Sequence, residues 1–203
     1  KIHRELLLNK QKWAVPADNE IAVTAGRLKD AHLSLTNGQQ QLSLTTAADS
    51  SNTPAIHIKL QQLNLSSLTS IMATDSALAG GIVNGNATIS NWEQSPLVDA
   101  ALQIDSLRVM QALLGDLSLK AANSSANDYT VDLTLKGDSN NIRLQGAYHN
   151  KSDQPLDFKL QLQPLYLPSL EPLAGSYVKQ LTGDVQGDLT IGGSVDKPRI
   201  LGT

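Results

Sequence analysis

The sequence contains no cysteine. Disulfide frameworks, thiol catalysis and Cys-ligated zinc or iron–sulfur sites are thereby excluded. It has few aromatic residues: two Trp, four Tyr and one Phe in 203 residues. Trp13, Trp92, Tyr129, Tyr148, Phe158, Tyr166 and Tyr177 cannot fill a thick interior. The apolar fraction of 40% therefore rests on Leu, Ile, Val and Ala, which suits a thin layer better than a ball. No stretch approaches the roughly 20 apolar residues of a spanning helix, and no secretory signal opens the chain. A net charge of −3 with no long basic run argues against nucleic acid as a partner, because that binding needs clustered Lys and Arg. The length suits one large domain or two small ones. Residues 2–8 read like the middle of something, and the pattern of a strand begins as the chain ends, so the chain reads as a piece of a longer protein.

What is present is a period of two. Ile56, Ile58 and Leu60 alternate with His57 and Lys59; Val131, Leu133 and Leu135 alternate with Asp132 and Thr134; Phe158, Leu160 and Leu162 alternate with Lys159 and Gln161. Leu33/Leu35, Leu42/Leu44, Leu102/Ile104, Leu117/Leu119 and Ile142/Leu144 repeat the pattern. Successive strand side chains point to opposite faces, so each run has a dry face and a wet face. Polar turns such as Thr36-Asn37-Gly38 and Gly137-Asp138-Ser139-Asn140 separate the runs. About a dozen strands joined by hairpins imply an all-β, mostly antiparallel sheet. Sheets that wide curl, split or stack. Curling turns the apolar faces toward each other and gives a concave apolar face.

Two segments break the alternation. Residues 66–78 and 168–181 predict short helices, with Ser67 and Ser169 as caps. They also expose a repeat. Shifted by 102 residues, Leu63, Leu65, Ser67, Leu68, Gly81, Val83, Gly85, Thr88, Ile89 and Pro96 all fall on identical residues. The chain thus reads as two units, 1–101 and 102–203, that build one continuous sheet rather than independent domains. In the strand expected from Gly183 to Ile191, the odd positions are Gly183, Val185, Gly187, Leu189 and Ile191; the first copy has Gly81, Val83, Gly85, Ala87 and Ile89. The four glycines fall on the apolar parity, where glycine marks a bend or a close approach. The preceding short helix is the expected neighbour; the alternative is glycine merely tolerated on a twisted strand.

Residues 166–203 carry a leucine-rich entry, a short helix and then L-x-G-x-x-x-G-x-L-x-I-G-G-x-x-x-x-P-x-I-x-G. This resembles the repeat signature of the TamB/AsmA-like superfamily. Residues 63–101 resemble a degenerate copy, with Ser90-Asn91 in place of the Gly-Gly pair. The resemblance implies an interior stretch of a long curved sheet, a β-taco, crossing the periplasm of a Gram-negative bacterium. It implies an inner-membrane anchor outside this chain, and an outer-membrane barrel partner of TamA type met by another part of the protein. It also implies a role in outer-membrane biogenesis, through phospholipid transport between the two membranes, barrel-protein assembly, or both.

Catalytic signals are lacking. His3, His32, His57 and His149 are scattered without ligand spacing. No nucleophile elbow or phosphate loop occurs. Asp184 and Asp188 share a parity but lie roughly 13 Å apart along a strand, too far for acid–base cooperation. The expectation is a protein that is not an enzyme, takes no cofactor and binds no metal. Its site is an apolar groove for phospholipid acyl chains. The candidate lining is Ile56, Ile58, Leu60, Val83, Ile89, Val131, Leu133, Leu135, Phe158, Leu160, Leu162, Val185, Leu189 and Ile191, with Gly81, Gly85, Gly183 and Gly187 as structural glycines. A sealed core is the plain alternative for such a stripe. Two other functional classes stand beside the conduit: a scaffold whose open edge pairs with strands of client barrel proteins, and a surface β-solenoid or adhesin.

Overall fold

The computed structural model describes residues 5–8, 11–24, 27–48, 53–67, 79–92, 94–110, 112–174 and 180–202. Among these residues lie fourteen strands: β1 (Glu5–Leu8), β2 (Gln11–Ala14), β3 (Glu20–Thr24), β4 (Arg27–Asn37), β5 (Gln40–Ala48), β6 (Pro54–Asn64), β7 (Ala79–Ser90), β8 (Leu97–Val109), β9 (Ala112–Ser125), β10 (Asp128–Lys136), β11 (Asn140–His149), β12 (Leu156–Tyr166), β13 (Asp184–Gly193) and β14 (Pro198–Gly202). They form one open sheet in the order β1-β2-β4-β5 and onward in sequence to β14, with β3 paired to β4. Every pairing is antiparallel. Thirteen strands in series at about 4.8 Å span roughly 58 Å. The fold is thus the all-β, open antiparallel sheet that the alternation implies.

The long strand β4 shares one edge among three partners. β3 pairs with its first half, and β2 meets it at Ala14 opposite Thr36. Between them, the Asn19 side chain takes the place of a backbone amide: its Nδ2 donates to the Ser34 carbonyl at 2.8 Å, and its Oδ1 accepts the Ser34 N–H at 2.9 Å. An asparagine in a loop thereby satisfies main-chain groups that a gap between strands would orphan.

The sequence repeat is also a repeat of pairing. Ile56 opposes Ile89, Leu60 opposes Gly85 and Leu63 opposes Val83; 102 residues on, Phe158 opposes Ile191, Leu162 opposes Gly187 and Leu165 opposes Val185. Both strand pairs skip two residues at the same place, between Leu60 and Leu63 and between Leu162 and Leu165. The correspondence slips upstream. Leu42 opposes Leu35, whereas Leu144 opposes Leu133. The turn explains this: β4 and β5 close on Asn37 opposite Gln40, while β10 and β11 close on Lys136 opposite Asn141, two residues longer.

Register shifts recur in neighbouring strands at about the same height: at Leu60/Leu63, Gly80/Ile82, Ile104/Leu107 and Leu162/Leu165. Positive φ marks the same places, at Gln62 (50°), Gly81 (136°), Ser106 (52°) and Gly115 (125°). Bulges bend a strand and sharpen its twist, so a line of them makes a crease across the sheet. Beyond the crease, Leu107 and Leu114 are buried with Leu135, against Leu117 and Ile142. A second buried cluster joins Trp13 and Val15 to Leu35, Leu63 and Val83. It draws on strands from β2 to β7, so the sheet closes around its apolar side at that end.

The helical expectations are corrected in part. A 3-10 turn at Leu167–Leu170 leads into one α-turn at Glu171–Ala174. Its N-cap is Tyr166, not Ser169, and Pro168 sits at the second helical position, in the first turn where a missing N–H is tolerated. Ser169 instead donates back to the Tyr166 carbonyl at 2.6 Å. Residues 65–67 are helical; the rest of the expected 66–78 helix, with Leu68 and Ile71, lies outside the described residues.

Candidate functional site

The cross-strand partners sort into rows that run across the strands. One row reads Leu42, Leu60, Gly85, Leu102, Leu119, Leu133, Leu144, Leu160, Leu189, one residue from each strand from β5 to β13. The row on one side reads Leu44, Ile58, Ala87, Ala100, Ala121, Val131, Gly146, Phe158, Ile191. The row on the other side reads Leu63, Val83, Ile104, Leu117, Leu135, Ile142, Leu162, Gly187. The alternate rows are polar: Ser43, Lys59, Asn86, Ala101, Lys120, Asp132, Gln145, Lys159, Thr190. One face is therefore continuously apolar over most of the sheet, and the other is wet.

Burial differs from row to row. Every residue of the leucine row is half-buried. In the row beside the crease, Leu63, Val83, Leu135 and Leu162 fall to 1%, 4%, 8% and 7% exposure. The apolar face is thus more closed along the crease, where Ile104, Leu117 and Ile142 still stay half-buried, and more open beside it. A core that closed throughout would have buried the leucine row as well.

All fourteen candidate lining residues share this face. Ile56 and Ile89 oppose each other one row beyond Ile58 and Ala87. Val83, Leu135 and Leu162 belong to the more closed edge, Val185 is exposed at 40%, and the other ten are half-buried. The selection missed Leu42, Leu102, Leu119 and Leu144, whose alternation was as regular, because it favoured the strands in and around the repeat. It also missed Trp13, the buried lid of one cluster. A four-residue strand gives no periodicity by which to place it.

The glycines divide. A Cβ on Gly85 would lie 2.5 Å from both the Ala101 carbonyl oxygen and Leu102 Cδ2, and one on Gly81 would lie 2.8 Å from Ile104 Cγ2. What crowds them is the adjacent strand β8. Gly183 precedes its strand rather than opening it, at φ 86° with nothing within 4 Å of an added Cβ. It is a turn glycine, because residues of the wrong hand are cheap only for glycine there. Gly187 remains on the apolar face opposite Leu162. Gly146, not singled out by the repeat, lies under the Phe158 ring: a Cβ there would fall 2.7 Å from Phe158 Cδ1.

The polar face holds its charges in local pairs. Arg143 Nη2 donates to Asp132 at 3.0 Å, and Gln145 donates to the same carboxylate at 3.0 Å. The Arg143 guanidinium holds the Asp132 carboxyl below its ordinary range. His149 Nδ1 sits 2.8 Å from Asp128, which Ser125 also donates to, and the Asp128 carboxyl is likewise lowered, chiefly by His149. His57 lies on this face with Nδ1 3.2 Å from Thr88 Oγ1. The Arg143–Asp132 and His149–Asp128 pairs are exposed and His57 is half-buried, a solvated surface.

At the crease, Asn140 ties three elements together. Its Nδ2 donates to the Leu114 carbonyl at 3.2 Å, its Oδ1 accepts the Tyr166 N–H at 3.0 Å, and it lies 3.3 Å from Ser169 Oγ. In the first unit Gln40 does the same for Asn64, whose N–H reaches Gln40 Oε1 at 2.9 Å. A cleft of about 450 Å³ opens beside Asn140, between the β10–β11 turn and the 3-10 turn. Among the described residues no helix is long and apolar enough to cross a membrane.

A family model described as the N-terminal domain of TamB matches residues 18–203. No curated protein and no solved structure matches significantly.

Proposed function

Because the chain belongs to the TamB family, we propose that it serves the bacterial envelope as an apolar track for phospholipid acyl chains moving between the inner and outer membranes. The half-buried leucine row is the observation that supports this reading. A methylene fully withdrawn from water is worth about 0.8 kcal/mol, and one laid on an open face gains only part of that. The face changes little from strand to strand, so a chain moving along it meets no deep trap. The wet face suits an aqueous compartment such as the periplasm, and the more open part of the apolar face leaves room for headgroups. The protein performs no chemical step and needs no cofactor. The full-length protein meets its TamA-type partner through another part.

The test is mass spectrometry of lipids extracted from protein purified without detergent. Co-purifying phospholipid that is lost in Leu133→Asp supports the track. No bound lipid, together with binding of unfolded barrel strands, overturns it in favour of a strand-pairing scaffold for outer-membrane protein assembly.

A further inference from the structure

Trp13 is out of keeping with the cluster that holds it. Its side chain is 2% exposed, in a cluster with Val15, Leu35, Leu63 and Val83. Among the described residues its indole Nε1–H is buried without an acceptor. A buried indole N–H usually finds a partner, and a dry, unpaired donor carries a cost that a purely apolar side chain there would not. The strand that bears it is lightly held. Among the described residues one opposed pair, Ala14 and Thr36, joins β2 to β4, with Asn37 Nδ2 donating to the Lys12 carbonyl at 3.1 Å beside it. β4 and β5, by contrast, pair without a break from His32–Thr45 to Asn37–Gln40. β1 adds no second anchor, since its neighbour in the sheet is β2. Packing of Trp13 and Val15, more than the ladder, therefore keeps β2 down. Asn19 is bonded twice to Ser34, so the chain is fixed on the far side of the exposed turn at residues 16–18, and β2 can swing about that turn while β3 stays.

Leu42 and Leu60, the first two residues of the leucine row, pack against this same cluster. The half-buried row thus leads up to Trp13. We propose that β1 and β2 form a flap with Trp13 as its plug: the flap closes the β4–β7 end of the apolar face, and a phospholipid acyl chain arriving along the leucine row displaces it. The chain restores to Leu35, Leu63 and Val83 the apolar contact that the ring gave them, and the indole N–H is released to water. Burial of the ring favours the closed position and the unpaired donor opposes it, a balance that a ligand for the open position can shift. This rests on the acyl-chain reading above and adds a gate to it.

The chain has no cysteine and two tryptophans, so the flap can be locked and watched. Ala14→Cys with Thr36→Cys ties β2 to β4 when oxidised and frees it when reduced, and Trp92→Phe leaves Trp13 as the one tryptophan. The probe is a short-chain phosphatidylcholine with brominated chains, kept below its aggregation concentration, because bromine quenches tryptophan emission on contact. The reduced protein should show quenching of Trp13. Oxidation should move the midpoint of that quenching to at least about tenfold higher lipid, since only the open fraction admits a chain there, while calorimetry still detects lipid on the open leucine row. In the unmutated protein, hydrogen exchange of the β2 amides should quicken when lipid is added. Equal quenching in the two redox states, lipid binding without quenching, or β2 amides that exchange more slowly with lipid would each overturn the flap and leave the track standing. If calorimetry detects no lipid binding to the unmutated protein, the track itself falls, and the flap with it.

Discussion

Gly85 shows how one residue answers to its neighbour across the sheet. Valine suits strands in general, but here its Cβ would enter space held by Ala101 and Leu102. Gly85→Val should lower stability by about 1–3 kcal/mol through overpacking, read as a lower thermal midpoint; an unchanged or raised midpoint would mean that the β7–β8 contact gives way easily. Asn140 is the opposite case, a buried polar residue whose bonds are all made. Asn140→Ala leaves the Tyr166 N–H and the Leu114 carbonyl without that partner, at about 1–3 kcal/mol for each group that stays dry. Gln40→Ala should cost less, since Gln40 is half-exposed. Asp132 sets a pH dependence. Its carboxyl is lowered by Arg143, so it contributes stability above the ordinary carboxylate range, and that contribution is lost as pH falls through its folded value. The wild type should therefore be more stable than Asp132→Asn at neutral pH, by no more than an exposed pair allows, and the difference should begin to shrink near the ordinary carboxylate value of about 4 and vanish only below the lowered folded value. A difference that persists at low pH would assign the effect to something other than the ionised carboxylate.

At the scale of the strand, parity decides what a substitution does. Leu160 stands in the leucine row and Lys159 in the adjacent polar row. Leu160→Asp places a charge on the apolar face and should impair folding or function in complementation, while Lys159→Gln should pass nearly unnoticed. Equal tolerance at the two positions would contradict a one-sided sheet. This parity was legible in the sequence because the side-chain period of a strand is two wherever one face is dry. The repeat was legible for the same reason: β6–β7 and β12–β13 keep both residues and pairing. What the sequence did not disclose depends on contacts between distant segments. Trp13 is buried only because β2 closes on residues of β6 and β7. The crowding at Gly85 comes from the adjacent β8, not from the preceding short segment, since a repeat names a special position without naming its neighbour. The crease arises from bulges at Gln62, Ser106 and the two glycines Gly81 and Gly115; the polar residues among them carry no mark that separates them from ordinary strand positions. Gly183 likewise sat one residue outside its strand, within the usual uncertainty of an element's end.

At the scale of the whole molecule, a single sheet is more closed along one crease and more open beside it. An ordinary sandwich buries such a face against a second sheet; here thirteen strands run in series without one. Apolar surface left half-exposed over nine strands invites a partner, and the repeat makes that surface nearly uniform along its length. The direct measurement is photo-crosslinking in cells, with a photoreactive residue placed at Leu160 in one strain and at Lys159 in another. Phospholipid adducts at Leu160 and none at Lys159 are expected if acyl chains lie on the apolar face. Equal labelling at the two positions, or adducts at Leu160 that contain only protein, would contradict it.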